Sequence, residues 1–256
     1  RWHWCPTSRN AAPLVAEGID PAAVAVTGNT VIDAVLSIAR RPLPKRLADA
    51  LPPRRARQRI LVTMHRRETL GAEQAALCRM LGEVATARDV EIVFPVHLNP
   101  RVREQVRAEL AGHARVTLLD PLDYHSFVHL LASSDLAVTD SGGIQEEAPV
   151  FGIPVVVMRD ATERVEGVEA GAIRLSGTDP ERVRADILDL CDRPPALGAA
   201  PAVSPYGDGR AAERIVGQLV DDLAGAPTPE PARAPERHRA HDGLGVLGAP
   251  GLPATA

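Results

Sequence analysis

Two short strings in this 256-residue chain gather side chains that do chemistry. Met64-His65-Arg66-Arg67-Glu68 follows a short β-branched run, and so does Asp140-Ser141-Gly142-Gly143-Ile144-Gln145-Glu146-Glu147. A Ser-Gly-Gly turn that opens a helix lets backbone approach a ligand closely, because neither glycine has a Cβ. The free N–H groups of that first turn, with the helix dipole, then suit a phosphate. A local reading stands beside this one: Asp140 or Ser141 caps the helix, while Glu146 and Glu147 complement its dipole. His65, Arg66 and Arg67 offer up to three donors, or else form a surface basic cluster paired with Glu68. His97, in Pro95-Val96-His97-Leu98-Asn99-Pro100, ends another apolar run, and its local reading is a turn residue bonded to its own backbone. Arg164 lies in a charged segment after a further run and can reach the same mouth. If these ends converge, two anion-favouring groups share one crevice, which fits a diphosphate better than a single phosphate.

Such convergence needs a scaffold that lines up strand ends. Apolar runs at 60–64, 91–96, 115–119, 136–139 and 154–158, with a weaker one at 172–175, read as strands. Helical periodicity fills the intervals at 71–87, 101–110, 124–133 and 143–150, and continues at 180–191. Near-continuous apolar strands alternating with helices predict an α/β fold, a Rossmann-like doubly wound parallel sheet. In such a sheet ligands sit beyond the carboxyl ends of the strands, where both strings fall. A helix over 30–40 precedes this unit, with Asn29 or Thr30 as its cap, and a helix over 210–223 closes it. Residues 1–27 read as the continuation of a structure, with Trp2 and Trp4 alternating as on a strand. The expected organisation is 1–40 as the remnant of a first domain with an interdomain helix, 41–58 as a basic, Pro-rich connector, and 59–204 as the Rossmann-like unit. A closing turn and helix occupy 205–224. Eleven Gly or Pro among the 32 residues of 225–256 predict a disordered tail there.

Composition narrows the function classes. With 45% apolar residues the chain can bury a sizeable core. A net charge of −4 gives no electrostatic footprint for nucleic acid as a main partner. No apolar run approaches the roughly 18–20 residues of a membrane helix, and no apolar signal segment opens the chain. Three widely spaced cysteines, Cys5, Cys78 and Cys191, suggest neither a disulfide framework nor a clustered zinc site and read as buried. The expectation is a cytoplasmic protein with no cofactor, no metal, no membrane partner and no nucleic-acid partner.

Taken together, the strings resemble the non-hydrolysing UDP-N-acetylglucosamine 2-epimerases. The resemblance rests on Val26-Thr27-Gly28-Asn29-Thr30-Val31-Ile32-Asp33-Ala34, His65-Arg66-Arg67-Glu68, Pro95-Val96-His97-Leu98-Asn99-Pro100 and the run from Thr139 to Pro149. Arg159-Asp160, Thr162-Glu163-Arg164 and Pro205-Tyr206-Gly207-Asp208-Gly209 extend it across about residues 1–224. Val165 stands where the family usually has Pro, and Met64 where a smaller residue precedes the His. The resemblance implies the C-terminal half of a GT-B-type two-domain fold, in which two Rossmann domains face across a cleft. It implies elimination of UDP from UDP-GlcNAc and its re-addition with inverted carbon 2, giving UDP-ManNAc for cell-envelope polysaccharide synthesis. It assigns Ser141, Gly142 and Gly143 to the diphosphate, Glu147 to the ribose, Leu122 and Phe127 to the uracil, and Arg164 to the diphosphate or sugar. His65 becomes the catalytic-site histidine, and Arg66 and His97 candidates for a second, activating UDP-GlcNAc. The implied ligands are UDP and UDP-GlcNAc, and the implied assembly is a homodimer. The family's acidic catalytic residues belong to the first domain, and residues 1–58 hold no counterpart. The expected chain is therefore incomplete and inactive alone. The alternatives are a non-catalytic UDP-sugar-binding module, half of a split enzyme completed by a separate N-terminal-domain chain, or a GT-B glycosyltransferase donor domain.

Overall fold

Strands and helices largely alternate through the described residues. The computed structural model describes residues 2–51, 53–54, 56–65, 71–192 and 204–224. In order they form β1 (His3–Cys5), α1 (Ser8–Ala16), β2 (Val24–Val26), α2 (Thr30–Ala39), α3 (Lys45–Ala50), β3 (Gln58–Thr63), α4 (Ala72–Ala87), β4 (Val90–Pro95) and α5 (Pro100–Leu110). There follow β5 (Val116–Leu119), α6 (Tyr124–Ala132), β6 (Leu136–Thr139), α7 (Gly142–Glu147), β7 (Val155–Val157), α8 (Val165–Glu169), β8 (Ile173–Leu175), α9 (Pro180–Asp192) and α10 (Ala211–Leu223). The tail 225–256 and the positions of Arg66, Arg67 and Glu68 lie outside the described residues.

Six strands form one parallel sheet in the order β5-β4-β3-β6-β7-β8. The period-2 alternation of each strand divides its side chains between two cores. In the first, Ile60, Val62, Ile92, Phe94, Val138 and Val156 pack with Leu77 and Leu81 of α4, Val102 and Val106 of α5, and Val183 and Ile187 of α9. In the second, on the opposite side, Leu61, Val93, Ala137, Val155 and Val157 pack with Leu47 of α3, Leu130 and Leu131 of α6, and Ile144 of α7. Helices thus cover both faces, so the sheet is doubly wound as expected. Chain order reverses between β3 and β6, whose register pairs Thr63 with Thr139. The two hydroxyls meet at 2.6 Å. Such a reversal opens a crevice above the strand ends, and this is where the two chemical strings begin.

The first residues build a small accessory layer. β1 and β2 pair in parallel, with Trp4 opposite Ala25. Thr7 caps α1, its hydroxyl accepting from the Asn10 N–H, and also reaches Glu166 of α8 at 2.5 Å. The segment expected as a bare connector carries α3, because Leu47 is buried against the second core. Asn29 caps α2 through its side-chain oxygen. The segments before α2 and before α10 meet at Gly28 and Gly207, both at positive φ. A Cβ on Gly207 would lie 3.2 Å from the Gly28 Cα, so only glycine lets these backbones touch. Asp33 then accepts from the Ala211 and Ala212 N–H groups and caps α10 across this junction. No helix among the described residues is long and apolar enough to cross a membrane.

Candidate active site at the sheet's switch point

The turn after β6 is anchored from below. The Ser141 N–H donates to Thr139 Oγ1 at 2.9 Å, and Gln145 Nε2 donates to the Ser141 carbonyl at 3.1 Å. Ser141 occupies the N-cap position of α7, yet its side chain makes no capping bond. Asp140 does not cap either. Its buried carboxylate accepts from the His65 N–H at 2.9 Å and meets His65 Nδ1 at 2.7 Å. The local reading of this string therefore fails at both candidate caps. First-turn N–H groups have no intrahelical acceptor, and this turn leaves its own at the mouth of the crevice.

His65 stands at the end of β3 with its side chain 44% exposed. The Asp140 contact orients the ring by Nδ1 and turns the Nε2 edge away from the carboxylate. His97, past the end of β4, sits with its ring centroid 6.3 Å from that of His65. Its Nδ1 accepts from the Asn99 N–H at 3.2 Å, the local turn bond expected from sequence. That bond leaves Nε2 to carry the proton of the neutral ring. The topology thus brings the ends of β3, β4 and β6 together, and His65, His97 and the Ser-Gly-Gly turn with them. Arg66 falls outside the described residues.

Arg164 arrives from the other side. It occupies the N-cap position of α8, where its carbonyl accepts from the Tyr206 hydroxyl at 3.2 Å and its N–H donates to Thr162 Oγ1 at 3.1 Å. Its guanidinium lies over the turn: a Cβ on Gly142 would stand 3.3 Å from Cζ and 3.5 Å from Nη2. Gly142 therefore makes room for a cation as well as for close backbone approach. At Gly143 a Cβ would meet nothing nearer than 3.9 Å, so that position stays open.

Glu147 is buried at the end of α7 and accepts from the Tyr124 hydroxyl at 3.1 Å. Burial pushes its carboxyl above the ordinary value; the Tyr124 bond opposes that shift and the neighbouring Glu146 charge adds to it. Burial, with Glu147 beside it, also raises the Tyr124 phenol. Leu122 and Phe127 are half-buried at the head of α6, packed on the second core beside this pair. The arrangement offers an apolar shelf, a buried carboxylate, an uncapped helix start and a fixed cation in sequence around one mouth. Burial pushes the Cys78 thiol up to about 12 and Cys191 up to about 11, so neither is a nucleophile. No group of three metal-ligating side chains occurs among the described residues.

Sequence reasoning missed Tyr124, the Thr63–Thr139 hydroxyl pair, and the clasp in which Thr162 Oγ1 donates to Gln145 Oε1 at 2.5 Å. A polar residue at the first helical position of α6 was the one visible signal.

A family model described as UDP-N-acetylglucosamine 2-epimerase matches residues 1–220. A UDP-N-acetylglucosamine 2-epimerase of Salmonella typhimurium is 43% identical over 226 residues, covering 85% of this chain and 60% of its own. The S. aureus MnaA–UDP co-structure superposes with a TM-score of 0.78 at 37% identity, over 87% of this chain and 61% of that one. The UDP-GlcNAc 2-epimerase from Neisseria meningitidis bound to UDP-GlcNAc gives a TM-score of 0.76 at 36% identity, over 86% and 61%. The chain thus spans about 60% of the length of the curated relative it matches. With the expected sheet, the matched motifs and this coverage of its own length, the chain belongs to the UDP-N-acetylglucosamine 2-epimerase family.

Proposed function

We propose that these residues form the nucleotide-binding wall of a UDP-GlcNAc 2-epimerase, the second of two Rossmann domains, with residues 1–40 belonging to the first. The observation that carries this reading is the uncapped Ser141-Gly142-Gly143 turn at the switch point with the Arg164 guanidinium laid over it. In this reading the turn's N–H groups and Arg164 hold the diphosphate, Glu147 accepts from the ribose hydroxyls, and Leu122 and Phe127 border the uracil. His65, oriented by Asp140, stabilises charge on the departing UDP, while His97 and Arg66 are the candidates for contact with a second nucleotide sugar. Elimination across carbons 1 and 2 also needs a base at carbon 2. In this reading that group belongs to the opposite wall, and the described residues contribute the binding of UDP.

The 60% coverage is equally that of a two-domain chain given in part and of a split enzyme whose first domain is a separate chain. We place the protein in the cytoplasm and expect the completed enzyme to be a homodimer. Calorimetric titration with UDP tests the binding wall. Absence of UDP binding, or UDP affinity unchanged by removing Glu147, overturns the assignment. An epimerisation assay with and without a family N-terminal domain separates the two readings: restoration in trans supports a split enzyme.

A further inference from the structure

Glu146 is not explained by the site as described. A carboxylate beside an anion-binding turn repels the ligand, and its place in the last turn of α7 is too far in to cap the helix start. Its two oxygens nevertheless have defined partners. Oε1 accepts from Arg164 Nε at 2.9 Å, and Oε2 accepts from Asn29 Nδ2 at 3.0 Å. Asn29 is itself held at two further points. Its Oδ1 accepts from the Val31 N–H at 3.0 Å, and its own N–H donates to the Tyr206 carbonyl at 2.7 Å. The bond to Val31 fixes which side of the amide is oxygen, so the Nδ2 face is the one turned to Glu146.

We infer that Asn29 and Glu146 are positioning residues, a relay that ties the head of α2 to the guanidinium over the diphosphate turn. The inference rests on the proposed function and deepens it. Arg presents its donors in a rigid planar fork, so a bond at Nε sets the plane of the whole group. With Nε held by Glu146, Arg164 Nη2 keeps no partner among the described residues and lies over Gly142, where a Cβ would stand 3.5 Å away. Nη1 makes only a long 3.4 Å contact with Glu163. The fork is thus presented to the turn for a two-point contact with phosphoryl oxygens. Because Asn29 is clamped where the segments before α2 and before α10 meet, a shift of the first-domain side moves Arg164 through two hydrogen bonds.

Charge and orientation predict opposite signs here, and that makes the relay testable. Glu146→Gln removes a negative charge from the site, so field effects alone would strengthen UDP binding. The relay predicts weakening, because the new amide sets a donor against Asn29 Nδ2. Asn29→Asp keeps the cap of α2, since Asp caps as well as Asn, and sets a carboxylate oxygen against Glu146. The double variant N29D/E146Q exchanges donor and acceptor. The new carboxylate at position 29 accepts from the new amide at position 146, whose oxygen still accepts from Arg164.

Calorimetry with UDP, and with uridine as the control lacking a diphosphate, reads these variants on the 256-residue chain. Each single variant should weaken UDP binding by about fivefold or more, leave uridine binding as it was, and be rescued in the double variant. UDP binding strengthened by Glu146→Gln, or no rescue, overturns the relay. Arg164→Ala separates the levels: if it leaves UDP affinity unchanged, the assignment of the diphosphate to this turn fails, and the relay with it. If it weakens UDP binding while both single variants bind like the parent, the relay alone fails. Crystal structures of the unliganded variants give a reading free of ligand. The guanidinium should leave Gly142 in each single variant and return in the double one, and its staying in both singles refutes the relay.

Discussion

Glu147 shows how one side chain can trade stability for binding. Its carboxyl is raised by burial first, so the folded protein favours the protonated form. The sign follows from linkage: stability is full below the ordinary value of 4.5 and is lost as pH rises through the higher folded value. The ionised form is therefore the one that costs folding stability. Glu147→Gln should raise the melting temperature at pH 7, and the gain should shrink as the pH falls through the raised folded value towards 4.5. It should also weaken UDP binding by about 1 kcal/mol, the difference between a charge-assisted and a neutral hydrogen bond. Differential scanning calorimetry over a pH series, with UDP titration at pH 7, checks both halves. At this scale the sequence was a partial guide. Ser141, Gly142, Gly143 and His65 announced themselves by type and position after a strand. Glu146 read as a dipole partner, because its bonds to Arg164 and to Asn29 cross 18 and 117 residues and exist only once the topology is formed.

Elements decide whether such residues meet, and the long ones were legible. Continuous apolar strands announced the sheet, and β6 falls on 136–139 as read from its pattern. Short helices held by tertiary contacts were not. α1 contains Pro13 and buries none of its residues, α3 is anchored by Leu47, and α8 spans only five residues. Yet α8 places Arg164. Its Gly167 N–H donates to the Tyr206 hydroxyl at 3.1 Å, and a Cβ there would lie 2.2 Å from Ile173 Cδ1 and 2.8 Å from that hydroxyl. Ile173 is buried, so it has little room to yield. Gly167→Ala should cost about 1–3 kcal/mol in urea unfolding, the usual range for overpacking. It should also weaken UDP binding, because α8 carries Arg164 with it. A second element-level tie lies at the opposite end of the strands. Arg59 on β3 and Glu91 on β4 are register partners, both buried, with Nε to Oε1 at 2.7 Å. Removing one partner of a buried pair strands the other, so Glu91→Ala should cost about 3–5 kcal/mol. UDP affinity at a temperature where the variant is folded should stay at the parent value, since this pair is remote from the strands' carboxyl ends.

Among the described residues, α2 and α10 close on one junction, which Asn29 links to the candidate site. Arg214 of α10 donates to the Thr27 carbonyl at 3.0 Å and binds Asp208 through two bonds of 2.7 Å. Asp33 caps the same helix from α2, and Asn29 passes from this junction to Glu146. The match of motifs before α2 and before α10, opaque in sequence, is explained by this contact. On the proposed function, His65 and this junction would share one frame. His65 is the sharpest test of that frame, since Asp140 receives both its backbone N–H and its Nδ1. With a family N-terminal domain restored by fusion or co-expression, His65→Asn keeps a donor of similar size and loses the ionisable ring. If the ionisable imidazole stabilises the departing diphosphate, turnover should fall much more than UDP affinity does. If His65 only braces the end of β3 against Asp140, the same substitution should lower the melting temperature and leave turnover per folded molecule at the parent value. Rates and melting curves measured on one preparation decide between them, and retained turnover with lost stability removes His65 from the catalytic machinery.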